Sequence, residues 1–407
     1  MTTKVAASTL AINGGTPVRT APFTAWPIWD EREEQALMRV LHSGVWGVGG
    51  SETEAFEAEL AAAIGVKYSL TVTNGTQSLV AALRAVGVEY GDEVIIPPYT
   101  FIATATACLI AGAIPVFADI DPATYTINPA AIEACITPRT KVIMPVHIGG
   151  YPADMDAIMA IAKRHNLIVI EDAAQAIGAR WRDRSVGSIG DMGSFSFQSS
   201  KNVNSGEGGA LTTDNLEYQT RAWSYKNCGR TLGGAWYQHD SLGDNLRLSQ
   251  FQGAILRSQL SRLEEQANLR LANGTYLANG LRALGGLEPQ PADPRVTRHG
   301  YHLIIVRYDP AAFGGWRRAQ FMAALRAEGI PCSPGYVPLY KTTGIIQGEA
   351  QLRQALGLPA AVQPACPETD RICAGESIWI ASQSALLGSQ ADMDDILGAV
   401  EKIRAAI

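Results

Sequence analysis

Two adjacent carboxylates and a lysine roughly thirty residues further on are the side chains of this sequence best set for covalent chemistry. They lie in the stretch 167–213, LIVIEDAAQAIGARWRDRSVGSIGDMGSFSFQSSKNVNSGEGGALTT. The branched run Leu167–Ile170 predicts a buried strand that ends in Glu171 and Asp172, with Ala173, Ala174 and Ala176 reading as the start of a helix. Polar side chains at the carboxyl end of an interior strand are where open α/β sheets place their ligands. A second strand-like run, Gly193–Ser200, delivers Lys201 into a loop holding Gly206, Gly208 and Gly209. A desolvated lysine is a good nucleophile towards an aldehyde. An aspartate set against a pyridine nitrogen keeps that nitrogen protonated and the ring an electron sink. Taken singly, such an aspartate is often a helix cap and such a lysine solvated. Together, Asp172 and Lys201 point to pyridoxal phosphate.

The elements that must position this pair form a regular alternation. Strands are expected near Ser69–Thr73, Glu93–Pro97, Pro115–Asp119, Lys141–His147 and Leu167–Ile170. Helices are expected between them, over Gly75–Ala85, Thr100–Ala111, Pro129–Cys135 and Met155–His165. Such alternation predicts an α/β fold, a large mainly parallel sheet flanked by helices. The first strand runs into Asn74-Gly75-Thr76, which opens a helix. A helix N-terminus with a glycine and hydroxyls offers free N–H groups to a phosphate. Neither a Walker loop nor a G-x-G-x-x-G is present there. The second strand exits at Phe101, an aromatic able to stack on a planar ring. His147 closes the fourth strand, where it faces either the cofactor or a buried partner of its own.

Residues 1–30 read as an arm lying on the body of the protein or on a neighbouring subunit. Asp30–Ser43 and Ser51–Ile64 have helical periodicity. Past Thr213, a helix over Leu216–Lys226 and a Gly/aromatic loop lead to a long helix running from Gly243-Asp244-Asn245 to about Ala283. Pro289–Pro294 marks a boundary. Strands at Tyr301–Tyr308 and Ile330–Val337 and helices at Arg317–Glu328 and Met393–Ile403 predict a small α+β C-terminal domain. The expected division is arm 1–30, large domain 31–285 and small domain 286–407.

Composition sets the outer limits. With 407 residues, 47% hydrophobic and 18% charged, the chain has ample core for such a pair of domains. A net charge of −6 and no basic cluster argue against a nucleic-acid partner. The six cysteines lack zinc-ligand spacing, so no metal site is expected and free thiols are. No run approaches the roughly 18 apolar residues of a membrane span, and no leader pattern opens the chain, which reads as cytoplasmic.

With Asn74-Gly75-Thr76, Phe101, Glu171-Asp172-Ala173-Ala174-Gln175 and Ser196-Phe197-Gln198-Ser199-Ser200-Lys201 in order, the chain resembles the DegT/StrS-type pyridoxal-phosphate aminotransferases of fold type I. The resemblance extends from about Leu10 to the last helix. The Lys201 run followed by Gly206-Glu207-Gly208-Gly209 is most similar to the keto-cyclitol (scyllo-inosose) aminotransferases, and next to the aminohydroxybenzoate synthases. It implies that Lys201 forms the Schiff base and moves the proton, that Asp172 pairs with the pyridine nitrogen, and that Gln175 lies beside the ring. It further implies stacking by Phe101 and phosphate binding by Gly75, Thr76 and Ser196. Asn245 would be donated to the phosphate of a partner subunit, giving a homodimer with shared sites. The implied reaction is ping-pong transfer of an amine from glutamine or glutamate to a cyclic polyhydroxy ketone, a keto-cyclitol or a nucleotide-linked keto sugar. Two rivals are an aminohydroxybenzoate-synthase-like enzyme and a regulatory protein that binds the cofactor without turnover. Relatives specialised for sugar dehydration can have histidine at the lysine position, so Lys201 favours transamination.

Overall fold

The computed structural model describes residues 9–362 and 364–407. Its centre is a seven-stranded sheet. In chain order the strands are β1 (Tyr68–Val72), β2 (Glu93–Ile96), β3 (Ile114–Phe117), β4 (Thr140–Ile143), β5 (Ile168–Asp172), β8 (Met192–Ser196) and β9 (Gly209–Thr213), with a small hairpin, β6 (Arg180–Trp181) and β7 (Arg184–Ser185), between β5 and β8. The spatial order is β1-β9-β8-β5-β4-β2-β3. Strands β3, β2, β4, β5 and β8 pair in parallel, while β9 runs antiparallel to both β8 and β1. The α/β expectation of a mainly parallel sheet holds.

Helices α1 (Glu31–Ser43), α2 (Glu52–Ile64), α3 (Gly75–Ala85), α4 (Ala103–Ile110), α5 (Pro129–Cys135), α6 (Met155–His165) and α7 (Leu216–Lys226) flank that sheet and its edges. Helix α3 is the best anchored. Ser78, Leu79, Val80 and Leu83 are buried against β8, β9 and α7, and each buried aliphatic is worth about 1.5–3 kcal/mol of transfer free energy. Ser78 donates its hydroxyl to the Ala210 carbonyl at 2.7 Å and accepts one from Ser194 at 2.8 Å, so the helix start is tied to β8 and β9.

Beyond the sheet, α8 (Gln250–Leu260) and α9 (Leu263–Leu284) replace the single long helix expected from the apolar stripe. The interruption falls at Ser261–Arg262, where Arg262 is pinned by Glu33 of α1 at 2.5 and 2.7 Å. A second sheet follows, with β10 (Leu287–Pro289), β11 (Leu303–Tyr308), β12 (Cys332–Ser333) and β13 (Ser377–Ser382) in the order β10-β11-β13-β12. It packs with α10 (Arg318–Ala327) and α13 (Gln390–Ala405) around Val306, Phe321, Leu325, Ile378, Ile396 and Val400. The expected strand Ile330–Val337 shrinks to two residues, because Pro331, Pro334 and Gly335 interrupt ladder pairing on either side of it. Helices α11 (Thr343–Ala355) and α12 (Pro367–Arg371) lie between β12 and β13.

From Leu10 onward the arm lies on its own chain. Leu10 is buried in the core of the second sheet. The fully buried Glu328 accepts hydrogen bonds from the amides of Ala11 and Val18 and from Lys402. Arg19 pairs with Asp392 and Asp395, both at 2.7 Å. Asp30 and Glu33 then form a capping box that starts α1.

Candidate active site

The carboxyl ends of β1, β2, β5 and β8 open into one cleft of about 670 Å³, lined by Asn74, Gly75, Thr76, Phe101, Asp172, Gln175, Ser196 and Lys201. Its opposite wall comes from the second sheet and its loops, through His302, Tyr336 and Trp379. Eight of the nine residues singled out from the sequence therefore meet in one place.

Asp172 is the last residue of β5, not the residue after it, and the chain does not enter a helix there. Instead Ala176 donates its amide to Ala173 and Ala179 to Ala176, two successive turns, and Gly178 takes a left-handed φ of 86°. The small alanines serve close packing of these turns. Asp172 is buried, with Oδ2 accepting from the Thr104 hydroxyl at 2.9 Å and Oδ1 from the Ala174 amide at 3.2 Å. Burial raises its pKa, against the pull of these two donors and of Lys201.

Lys201 follows β8 after a tight turn in which its amide donates to the Gln198 carbonyl at 2.8 Å. Burial lowers the pKa of its amine, and Asp172 opposes that shift. Among the described residues no hydrogen bond acts on its amine, only burial and the charge of Asp172. Desolvation thus pushes both groups towards their neutral forms; a protonated ring nitrogen beside Asp172 would reverse the shift of the carboxylate and not that of the amine.

Glu171 faces the other way. It is fully buried, accepts from the amides of Gly187, Ile189 and Gly190, and lies 2.9 Å from His147 Nε2. Burial acts to raise its pKa, but the hydrogen bonds and the histidine outweigh it and the net shift is downward. His147 Nδ1 accepts from the Ala153 amide at 3.0 Å, so Nε2 carries the proton towards Glu171. Of the two readings for His147, the buried partner is the one observed.

Gln175 is held at both ends of its amide: Oε1 accepts from the Gly149 amide at 2.7 Å and Nε2 donates to the Tyr336 hydroxyl at 2.9 Å. Phe101 is 55% exposed on the cleft, an open aromatic face. The N-cap Asn74 accepts from the Gln77 amide at 2.9 Å, and among the described residues the amides of Gly75 and Thr76 have no acceptor. A Cβ on Gly75 would come within 2.6 Å of Ser196 Cβ, so glycine is what lets the helix start and the Ser196 hydroxyl share one concavity. Gln77 Oε1 is buried beside it with no partner. Free amides, two hydroxyls and a positive helix end could hold a phosphate. Asp172, Lys201 and Phe101 could hold the ring.

Asn245 does not reach this cleft. It lies in a separate polar pocket of about 490 Å³ with Trp46, Lys226, Asn227 and Arg247. Lys226, there, pairs with Glu57 at 2.9 Å. Sequence reasoning missed Thr104, His302, Tyr336 and Trp379. Thr104 lies one helical turn past Phe101, but the last three reach the cleft only through long-range packing, which no local spacing reports. Among the described residues no cluster of metal-ligating side chains occurs, and no helix is long and apolar enough to cross a membrane.

The profile of the DegT/DnrJ/EryC1/StrS aminotransferase family matches residues 27–399. The chain is 40% identical to an L-glutamine:2-deoxy-scyllo-inosose aminotransferase of Streptoalloteichus tenebrarius, over 97% of both chains. It is 38% identical to a 3-amino-5-hydroxybenzoate synthase of Amycolatopsis mediterranei, over 91% of this chain and 95% of that one. A crystal structure of 3-amino-5-hydroxybenzoic acid synthase superposes with a TM-score of 0.85 at 36% identity, covering 94% of this chain and all of the other.

Proposed function

This chain belongs to the DegT/DnrJ/EryC1/StrS aminotransferase family and is a pyridoxal-phosphate-dependent aminotransferase of fold type I, and on that premise we propose that it moves the amine of L-glutamine to a keto-cyclitol of the scyllo-inosose kind. The observation that carries the choice of substrates is the likeness over 97% of both chains to an enzyme named for that donor and that acceptor. The cleft is compatible with it, since Phe101, Tyr336 and Trp379 offer apolar faces and the intervening hydroxyls and amides suit a ring rich in hydroxyl groups.

When bound, pyridoxal phosphate supplies an aldehyde for amine exchange and a ring that takes up electrons from the substrate carbon. The chain's own part is positional and acid–base. In this reading the amides of Gly75 and Thr76, the side chain of Asn74 and the Ser196 hydroxyl bind the phosphate. Asp172, held by Thr104, keeps the ring nitrogen protonated. Gln175, fixed between Gly149 and Tyr336, borders the ring, and Phe101 covers one face. Lys201, the pKa of its amine lowered by burial, takes the proton from the donor's α-carbon and returns one at the acceptor. Asn245 serves the phosphate of a second copy, which makes the working unit a homodimer with two shared sites.

The test is visible absorption of the purified protein with pyridoxal phosphate, before and after L-glutamine. The reading expects a yellow lysine-bound cofactor that glutamine bleaches and an inosose restores. Indifference to glutamine would overturn the donor assignment and favour a regulatory role. Restoration by nucleotide-linked keto sugars alone, or release of an aromatised ring, would overturn the acceptor.

A further inference from the structure

The backbone on either side of Lys201 is fixed by groups from outside its own loop. The indole N–H of Trp26, in the N-terminal arm, donates to the Ser199 carbonyl at 2.8 Å. The side-chain amide of Gln383, just beyond β13, donates to the Ser200 carbonyl at 2.6 Å. After the lysine, Asn202 donates to the Gly300 carbonyl at 2.7 Å. The first two bonds hold the carbonyls immediately before Lys201, so they set the direction in which its side chain leaves the chain.

Arg270 lies behind both clamps. It comes from the first half of α9 and is wholly buried. Its Nε donates to the Gln383 carbonyl at 3.2 Å and its Nη2 to Gln266 Oε1 at 3.3 Å. Its guanidinium carbon is 5.4 Å from the centroid of the Trp26 ring. Nη1 is buried with no partner, and no carboxylate pairs with the group among the described residues. Burial brings its pKa down to about 9. An unpaired buried cation is among the costliest groups a core can hold, and an aliphatic side chain would fill the space without that cost. The groups it touches include both residues that clamp the carbonyls before the cofactor lysine. The titratable group that senses both Arg270 and Lys201 is His302, just before β11, whose pKa burial drives well below its ordinary value with the two cations adding to the effect.

We infer that Arg270 is a positioning residue for Lys201, touching neither cofactor nor substrate and bracing Trp26 and Gln383 so that the lysine loop is set before the cofactor arrives. This rests on Lys201 being the cofactor lysine, which Lys201→Ala tests on its own by losing the yellow band.

The experiment compares wild type with Arg270→Met, Arg270→Lys, Trp26→Phe, Gln383→Leu and the Arg270→Met/Gln383→Leu pair. Two quantities are read: hydrogen exchange of the 198–203 amides without added cofactor, and the rate at which the yellow band grows on mixing with pyridoxal phosphate. Loss of a hydrogen bond to a charged group predicts about tenfold faster exchange and about tenfold slower capture in Arg270→Met. Arg270→Lys recovers part of both. The double variant is no worse than the worse single variant, because the two act in series. A filler role would lower the melting temperature and leave loop exchange and capture rate at wild-type values; that result overturns the inference. Should Arg270→Met not fold, Trp26→Phe and Gln383→Leu decide, and wild-type capture in both overturns it.

Discussion

The Thr104 hydroxyl donates to Asp172 Oδ2 at 2.9 Å, from the first turn of α4 to the end of β5. Among the described residues it is the one side chain that hydrogen-bonds the carboxylate, and it lowers a pKa that burial has raised. A hydrogen bond to the charged form favours that form. In Thr104→Val the Asp172 pKa therefore rises further, and the acid limb of the pH–rate profile moves to higher pH. Thr104→Ser leaves the limb near its wild-type position. Profiles of kcat for the donor half-reaction check both.

Lys201→Ala is expected to bind phosphate-bearing cofactor without the yellow band and to lose at least about 10²–10⁴-fold in turnover, the range that proton transfer alone supplies. Asp172→Asn keeps shape and loses charge. It should retain the band and lose about 10²–10³-fold in kcat, as for removal of a preorganised electrostatic group. Single-turnover absorbance with glutamine separates the two variants.

Glu171 ties His147 to the loop 187–190, and its pKa is below the usual 4.5. Its ionised form therefore adds stability that is fully present above the unfolded-state value near 4.5 and is lost as pH falls through the lower folded-state value. Glu171→Gln should cost about 2 kcal/mol near neutral pH, the range for losing hydrogen bonds to a charged group. It should also flatten the decline of stability between pH 4.5 and more acidic conditions. Urea unfolding at a series of pH values reads both the offset and the slope.

Subunit mixing tests the placement of Asn245 outside its own cleft. If the proposed shared dimer is the working unit, Asn245→Ala and Lys201→Ala proteins should each be impaired. In a mixed dimer both lesions fall on one site and leave the other intact. Activity that appears only after co-refolding of the two variants supports the shared site, and its absence after proven mixing contradicts it.

The chemistry of this chain was legible where it depends on short spacing. A strand end carrying Asp172, a glycine turn holding Lys201 and a helix start at Asn74 are each fixed by a few neighbouring residues, so their positions followed from local rules. The reading failed where distant groups decide. The apolar stripe that suggested one helix from residue 245 to 283 carries no mark of the break, because Arg262 fits a helix interior and is held at the interruption by Glu33, a residue far away in sequence. The alanines after Asp172 favour a helix by propensity, yet the chain must turn there to reach the β6–β7 hairpin. Tyr336 and Trp379 look like core aromatics in sequence, and only the packing of the second sheet brings them to the cleft.

The pairing of β1 with β9, in which Tyr68 lies opposite Thr213, has a consequence for how the protein is made. The helix start that could receive the phosphate is translated early, but the strand that holds it in register is among the last pieces of the sheet to emerge. Contacts so distant along the chain form late, since loop closure must precede any gain from them. A nascent chain stopped before Gly209 would own every element of the cradle except the one that closes it. Cofactor capture therefore requires completion of the whole sheet, and colour during synthesis would appear no earlier than that event.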